Sequence, residues 1–296
     1  MIPQSEYPYW LALNDIPNLQ TRKKNEIVVK CCHERQAPLS DLFKADISTM
    51  QEHFALSQED AQLISSQNEH ISNYMFQANS VLEQGWDIIC IFDQRYPKSL
   101  KINMKYQAPV LLYTCGNIEI MGKKCTAIVG SRNANPTALN FTGNIAKKYA
   151  SEDSPIVSGY AKGVDRQAFD SAVENGGQTI VVLPQGLGTF SSGLRSMYRG
   201  IIEGNILVIS TYKPNAPWSV GLAMGRNSII YGMADNIYVA QSDSKGGTWE
   251  GVMDGLKRSR TIYVREPELK EQSANALLIA KGCIPVTMNG DIVQIK

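Results

Sequence analysis

The stretch TAIVGSRNANP (126–136) decides how this chain is read. An apolar run ends at Gly130, and a Ser-Arg pair follows where the chain would turn into a helix. A short apolar run that stops at a glycine turn and passes into an amphipathic stretch is the unit of a parallel α/β sheet, whose strands are buried on both faces. The same cadence recurs on either side. WDIICIF, PVLLYTCG, SPIVSG, TIVVLPQG, NILVIST, NIYVAQS and TIYV are apolar runs ending in or near Gly, Ser, Asp or Pro. Between several of them lie helix-patterned segments such as PTALNFTGNIAKKYA, DRQAFDSAVENGG and TWEGVMDGLKRSR. The fold class expected is α/β, a doubly wound, mostly parallel, Rossmann-like sheet. The final segment, IAKGCIPVTMNGDIVQIK, reads as an edge hairpin turning at Asn289-Gly290.

Upstream the pattern differs. RKKNEIVVKCCHERQ and SQEDAQLISSQNEHISNYMFQANSVLEQG place apolar residues three and four apart, the spacing of amphipathic helices. Ser57 stands where a helix N-cap belongs, and Pro17 and Pro38 punctuate the helices. Residues 1–84 are therefore expected to form a small all-α domain and residues 85–296 the α/β domain. IPNLQTRKKNEIV (16–28) faintly resembles a DNA-contacting helix-turn-helix, but a packing or protein-contact module fits it better.

Composition bounds the function. The chain has 296 residues, 43% hydrophobic and 19% charged, enough for one large domain and a smaller one. It carries no apolar run of the ~20 residues that span a bilayer, and its start, MIPQSEYPYW, lacks the pattern of a signal peptide. Six cysteines without a C-x-x-C pair, and the vicinal Cys31-Cys32, fit a reduced helix rather than a disulfide framework or zinc site, so a cytoplasmic location is expected. The net charge of +1 hides an asymmetry: residues 1–120 hold 10 basic against 14 acidic side chains, and residues 121–296 hold 19 against 14. A mildly basic second part is compatible with an anionic partner. All three histidines, His33, His53 and His70, precede that part. It therefore has no histidine for a Ser-His or Cys-His nucleophile scheme, and neither a metal nor a cofactor is expected there.

Ligands of such sheets sit beyond the carboxyl ends of the strands, which directs attention to four loops. In Gly130-Ser131-Arg132, the glycine permits a sharp turn, Ser131 can donate to a phosphate oxygen and Arg132 can fork across two. In SGYAKGVDRQAF (158–169), Gly159 and Gly163 allow close approach and Lys162 offers a flexible charge; Asp165 reads as a helix N-cap. Arg226-Asn227 stands just before a helix and suits phosphate and sugar or base edges. Lys245-Gly246-Gly247-Thr248 makes a second glycine-rich anion loop opening a helix. Glu250, in that helix's first turn, favours the helix dipole, with a catalytic carboxylate as the sharper reading. Neither a P-loop nor a G-x-G-x-x-G fingerprint is present. Converging cationic loops without a histidine or metal set point to grip rather than turnover.

Taken in order, ICIFDQRYPKSL, APVLLYTCGN, AIVGSR, IVSGYAKGVD, TIVVLPQGL and GRNSIIYGMADNIYV resemble the DNA-processing protein A (DprA/Smf) family, from about Gly85 to Lys281. The resemblance implies an extended Rossmann fold that binds single-stranded DNA, forms a homodimer, and helps load a RecA-type recombinase during natural transformation, without catalytic residues. It further implies that Gly130, Ser131 and Arg132 contact DNA phosphates, with Ser158, Gly159, Lys162 and Gly163 beside them and Arg226 and Asn227 in the same pocket. The chain departs from the family pattern at Phe169, where a histidine is usual, at Ser228, where an arginine is usual, and in its Ser244-Lys-Gly-Gly-Thr-Trp loop. It reads as a divergent member without a winged-helix extension after Lys296. The competing reading is a nucleotide sensor or enzyme: GGTWE resembles a loop of the phosphoribohydrolases, which would make Arg226 and Glu250 a pair for cleaving nucleoside monophosphates.

Overall fold

The computed structural model describes residues 2–293. The chain divides into two compact units, one running through Tyr96 and including Met104–Thr114, the other made of Pro97–Asn103 and the chain from Cys115 onward. The first unit thus reaches past residue 84.

Helices α1 (Tyr7–Asp15), α2 (Thr21–Val28), α3 (Leu39–Lys44), α4 (Ile47–Phe54), α5 (Gln58–Ser65) and α6 (Ile71–Glu83) build the first unit. Ser57 caps α5 by accepting from the Asp60 amide, and Asp46 caps α4 through Thr49. The apolar faces meet around Trp10, Leu11, Leu13, Ile27, Leu42 and Phe43, all at most 2% exposed. Strand β1 (Asp87–Cys90) pairs antiparallel with β2 (Leu111–Gly116). The basic residues of α2 are engaged locally, Arg22 with Glu26 (3.0 Å) and Lys23 with Asp60 (2.9 Å). Its buried Asn25 donates to the carbonyls of Tyr106 and Ala108. These bonds favour packing over a DNA-contacting role. Cys31 and Cys32 lie in a π-helical turn, Val29–Glu34, as free thiols.

In the second unit, strands β3 (Thr126–Val129), β4 (Ile156–Ser158), β5 (Thr179–Val182), β6 (Ile206–Ser210), β7 (Asn236–Val239), β8 (Tyr263–Arg265) and β9 (Ile284–Val286) lie in the spatial order β6-β5-β4-β3-β7-β8-β9. Every pairing along this row is parallel. Helices α7 (Lys98–Met104), α8 (Pro136–Ser151), α9 (Val164–Glu174), α10 (Ser191–Ile202), α11 (Val220–Met233), α12 (Gly247–Lys257) and α13 (Asn275–Ala280) complete the fold. Ile128 and Tyr238 pack with Phe141 and Ile145 of α8 and Ala168 and Ala172 of α9. Because successive strand residues point to opposite faces, Val129 and Val239 face the other way. The protein is α/β, with an N-terminal all-helical region preceding a doubly wound, Rossmann-like sheet.

The turn expected at Asn289-Gly290 forms. Gly290 donates to the Thr287 carbonyl (3.0 Å), Thr287 donates to that of Asp291 (2.8 Å), and Val286 bridges antiparallel to Ile292. The remainder of that segment, residues 294–296, lies outside the described residues. Among the described residues, no helix is long and apolar enough to cross a membrane.

Candidate functional site

Strands β3 and β7 are neighbours whose onward connections run in opposite directions, β3 toward β4 and β7 toward β8. Such a switch point opens a crevice at the strands' carboxyl ends. The two loops leaving it are tied together. Ser131 donates its amide to the Gln241 carbonyl (2.9 Å), Ala240 donates to that of Val129 (3.0 Å), and the Gln241 side chain accepts from the Asn135 amide (2.8 Å). Behind them, buried Asn275 accepts from the Ser242 amide (3.0 Å) and donates to the carbonyls of Ala240 (3.1 Å) and Arg265 (3.0 Å). Arg265, 1% exposed, donates to the Ala240 carbonyl and pairs with Glu271.

Above this frame lies a cavity of about 370 Å³. Gly130, Ser131, Arg132, Arg226, Asn227, Lys245, Gly246, Gly247 and Thr248 all line it, and residues from all four stretches singled out in the sequence converge on it. Ser158, Gly159, Lys162 and Gly163 do not line it, although Ala161 and Asp165 of the same stretch do. The Ser131 hydroxyl accepts from the Asn133 amide (3.1 Å), which leaves its proton free to donate. Arg132 and Lys245 are exposed, as is Lys162.

Arg226 anchors the site. It is 4% exposed, donates from Nη1 to the Val182 carbonyl (3.1 Å), and stands 3.9 Å from Asp165. Burial pulls its pKa below the ordinary arginine value, and the Asp165 charge opposes that pull. Asp165 is the complement: burial pushes its carboxyl up, against Arg226 and the backbone amides of Ala161 and Gly159. Gly159 and Gly163 serve this arrangement through their missing side chains. A Cβ on Gly159 would fall on the Arg226 guanidinium. One on Gly163, whose φ is +83°, would lie 2.4 Å from the Ser131 carbonyl oxygen. Ser158, 2% exposed, donates its hydroxyl to the Asp165 carbonyl (3.1 Å).

Three sequence expectations change. Arg226-Asn227 does not precede a helix; it lies inside α11, which starts at Val220 after Ser219 caps it through the Leu222 amide. Asp165 is not an N-cap, because Gly163 holds that position and the carboxylate turns back to the preceding loop and Arg226. The helix after Gly130-Ser131-Arg132 starts only at Pro136, with Asn135 as its cap, so that loop offers a longer arm than a tight turn. Glu250 is exposed in the first turn of α12 and does not line the cavity; the carboxylate beside Arg226 is Asp165. The Arg226–Glu250 pair needed for glycosidic cleavage is therefore not assembled. No group of three or more His, Cys, Asp or Glu side chains suited to a metal occurs among the described residues.

Other lining residues escaped sequence reasoning. Trp218 and Tyr231 both border the cavity. Trp218 is 48% exposed, whereas Tyr231 is 3% exposed. The only local sign was a lone tryptophan in the proline-rich YKPNAPW; Tyr231 looked like any helix-core aromatic.

Sheet order, switch-point crevice and cationic loops define an open, doubly wound α/β protein of Rossmann-like type. The model of the family described as DNA recombination-mediator protein A matches residues 87–295, and the chain belongs to that family. It is similar to the DNA processing protein DprA of Streptococcus pneumoniae, 29% identical over 205 residues that cover 69% of this chain and 72% of that one. The corresponding protein of Bacillus subtilis is 25% identical, with 72% of each chain covered. Two solved structures share the fold. That of DprA from Streptococcus pneumoniae has a TM-score of 0.66 at 23% identity, covering 91% of this chain and 95% of that one. That of DNA processing protein A from Helicobacter pylori, described for its single-stranded DNA binding mode, has a TM-score of 0.59 at 24% identity, with 68% and 90% covered.

Proposed function

We propose that this chain binds single-stranded DNA through the β3–β7 cavity and its cationic rim, in the cytoplasm, and mediates recombination by passing the strand to a RecA-type recombinase, acting as a homodimer. The observation that carries the reading is the convergence of the Gly130–Arg132 and Lys245–Thr248 loops and of Arg226-Asn227 on α11 on one cavity around a buried guanidinium. Arg132 and Lys245 at the rim supply exposed positive charge, and Lys162 adds a further exposed cation on the neighbouring loop. A phosphate backbone gripped this way is held largely by charge, with little preference among bases and strong dependence on salt. Family membership and the single-stranded DNA binding described for the Helicobacter pylori protein support the same reading.

The test is fluorescence anisotropy with labelled single-stranded DNA, duplex DNA and free nucleotides over a salt series. Binding of single strands with a steep salt slope, and weak binding of duplex, is expected. Equal affinity for duplex, or salt-independent binding, would overturn the reading. Size-exclusion chromatography with light scattering tests the dimer, and co-sedimentation with a RecA-type recombinase on single-stranded DNA tests the partner.

A further inference from the structure

Tyr160 has a backbone φ of +56°, a left-handed conformation that a bulky side chain rarely takes. Such strain persists only where the surroundings hold it, and Tyr160 is held on three sides. Phe169 of α9 meets its ring edge-on, with ring centres 4.8 Å apart and planes at 80°. Phe190, in the connection from β5 to α10, meets it edge-on at 6.0 Å. The Arg166 guanidinium lies over the ring, 3.8 Å from its centre. Edge-on aromatic pairs and a cation over a ring each add to the apolar area they cover. One ring therefore joins the β4–α9 loop, α9 itself and the stretch before α10. Tyr160 does not line the β3–β7 cavity.

The left-handed turn also directs the backbone on either side. The amides of Gly159 and Ala161, one before Tyr160 and one after it, both bond the Asp165 carboxyl. Amides that flank a left-handed residue form a concavity of this kind around an anion. Further on, the Val164 amide donates to the Ser131 carbonyl (3.3 Å), where a side chain on Gly163 would intrude. The loop is thus pinned at Tyr160 and again at Gly163-Val164. Exposed Lys162 stands between the two pins.

We propose that Tyr160 is a positioning residue: its clamped ring fixes the backbone from which Lys162 reaches a phosphate of the bound strand. The strand then meets a cation whose stem is already in place. This rests on the single-strand reading above. Tyr160 touches no ligand in this scheme; it acts through Lys162, and the ring rather than the hydroxyl does the holding.

The experiment is anisotropy with a labelled thymidine oligonucleotide over a salt series, on the full chain and on Tyr160→Gly, Tyr160→Phe, Phe169→Leu, Lys162→Ala and the double variant Tyr160→Gly with Lys162→Ala. Glycine takes a left-handed φ without strain, so Tyr160→Gly keeps the turn and removes only the ring. It is expected to weaken the strand about tenfold, as loss of one charged hydrogen bond does, and to lower the salt slope by about 1. Phe169→Leu, which removes one wall of the clamp, shifts both in the same direction, and Tyr160→Phe restores both. Once Lys162 is alanine, Tyr160→Gly changes neither. Unchanged affinity and slope in Tyr160→Gly, or the same loss with and without Lys162, overturns the positioning role while leaving the strand grip standing. Hydrogen exchange of the free chain reads the clamp without DNA. The Ala161 amide should exchange faster in Tyr160→Gly and at its original rate in Tyr160→Phe, with Ile180 unchanged in both. If single strands fail to bind the unaltered chain, the strand reading falls. The clamp is then judged by exchange alone: it stands if Ala161 responds in this way, and falls if Ala161 exchanges alike in all three forms.

Discussion

Gly159 and Arg226 occupy one another's space: a Cβ on Gly159 would stand 1.3 Å from Nη1 of Arg226. The absence of a side chain on one strand end is what lets a guanidinium from α11 reach the Val182 carbonyl and Asp165. Gly159→Ala must displace that guanidinium. It is expected to destabilise the fold by about 1–3 kcal/mol, as overpacking does. Single-strand affinity should fall as well. Urea unfolding and anisotropy on the same preparation check both, and a variant of normal stability and affinity would show that Arg226 is not fixed there.

Asp165 should give stability a distinctive pH dependence. Burial holds its carboxyl above the ordinary range, with Arg226 and two amides pulling the other way. A carboxyl raised on folding contributes stability that is fully present below its unfolded value, near ~3.9, and is lost as pH rises through the folded one. Asp165→Asn removes that term. The stability of the unaltered chain minus that of the variant, from urea unfolding at stepwise pH from acid upward, should therefore decline across this window. A difference that grows with pH would mean that Arg226 depresses the carboxyl instead.

Asn275 makes three buried bonds to the frame behind the cavity. Asn275→Ala leaves the Ser242 amide without its acceptor and should cost about 1–3 kcal/mol. Chemical denaturation measures the loss. Hydrogen exchange at Ser242 should quicken more than at strand-centre amides such as Ile180, and uniform quickening would place the effect elsewhere.

Arg132 stands exposed at the cavity rim. If it meets a phosphate, Arg132→Ala weakens binding across all sequences alike and lowers the salt slope by about 1. A change that depends on base sequence would mean that it reads bases.

Much of the second unit is legible in the residues because parallel strands are buried on both faces. ILVI (206–209) and IVV (180–182), for instance, are apolar without interruption. Their spatial order is not legible, since nothing in AIV or NIYV says that β3 and β7 lie side by side. The loops were readable from glycine and charge, but their convergence depends on that order. Arg226 was misplaced because Gly225 looks like a turn before a helix, whereas Ser219 had already started α11. Asp165 was misread because a carboxylate near a helix start normally caps it, and the pull of a distant guanidinium leaves no local mark. Phe169, where the family pattern has histidine, is 8% exposed and packs edge-on against Tyr160 at 4.8 Å. That contact depends on Tyr160 adopting a φ of +56°, which its sequence neighbours do not announce.

The bond from Ser131 to Gln241, with Gln241 in turn holding Asn135, makes the two switch-point loops a single piece. A site so braced has little rearranging to do when a ligand arrives, and preorganisation spares the entropy of ordering a loop. The consequence is kinetic. Association should be governed by electrostatic encounter, quick at low ionic strength and slowing as salt is added, with no slow conformational phase. Differences among variants that leave the brace intact should then appear in how long a complex lasts, not in how fast it forms.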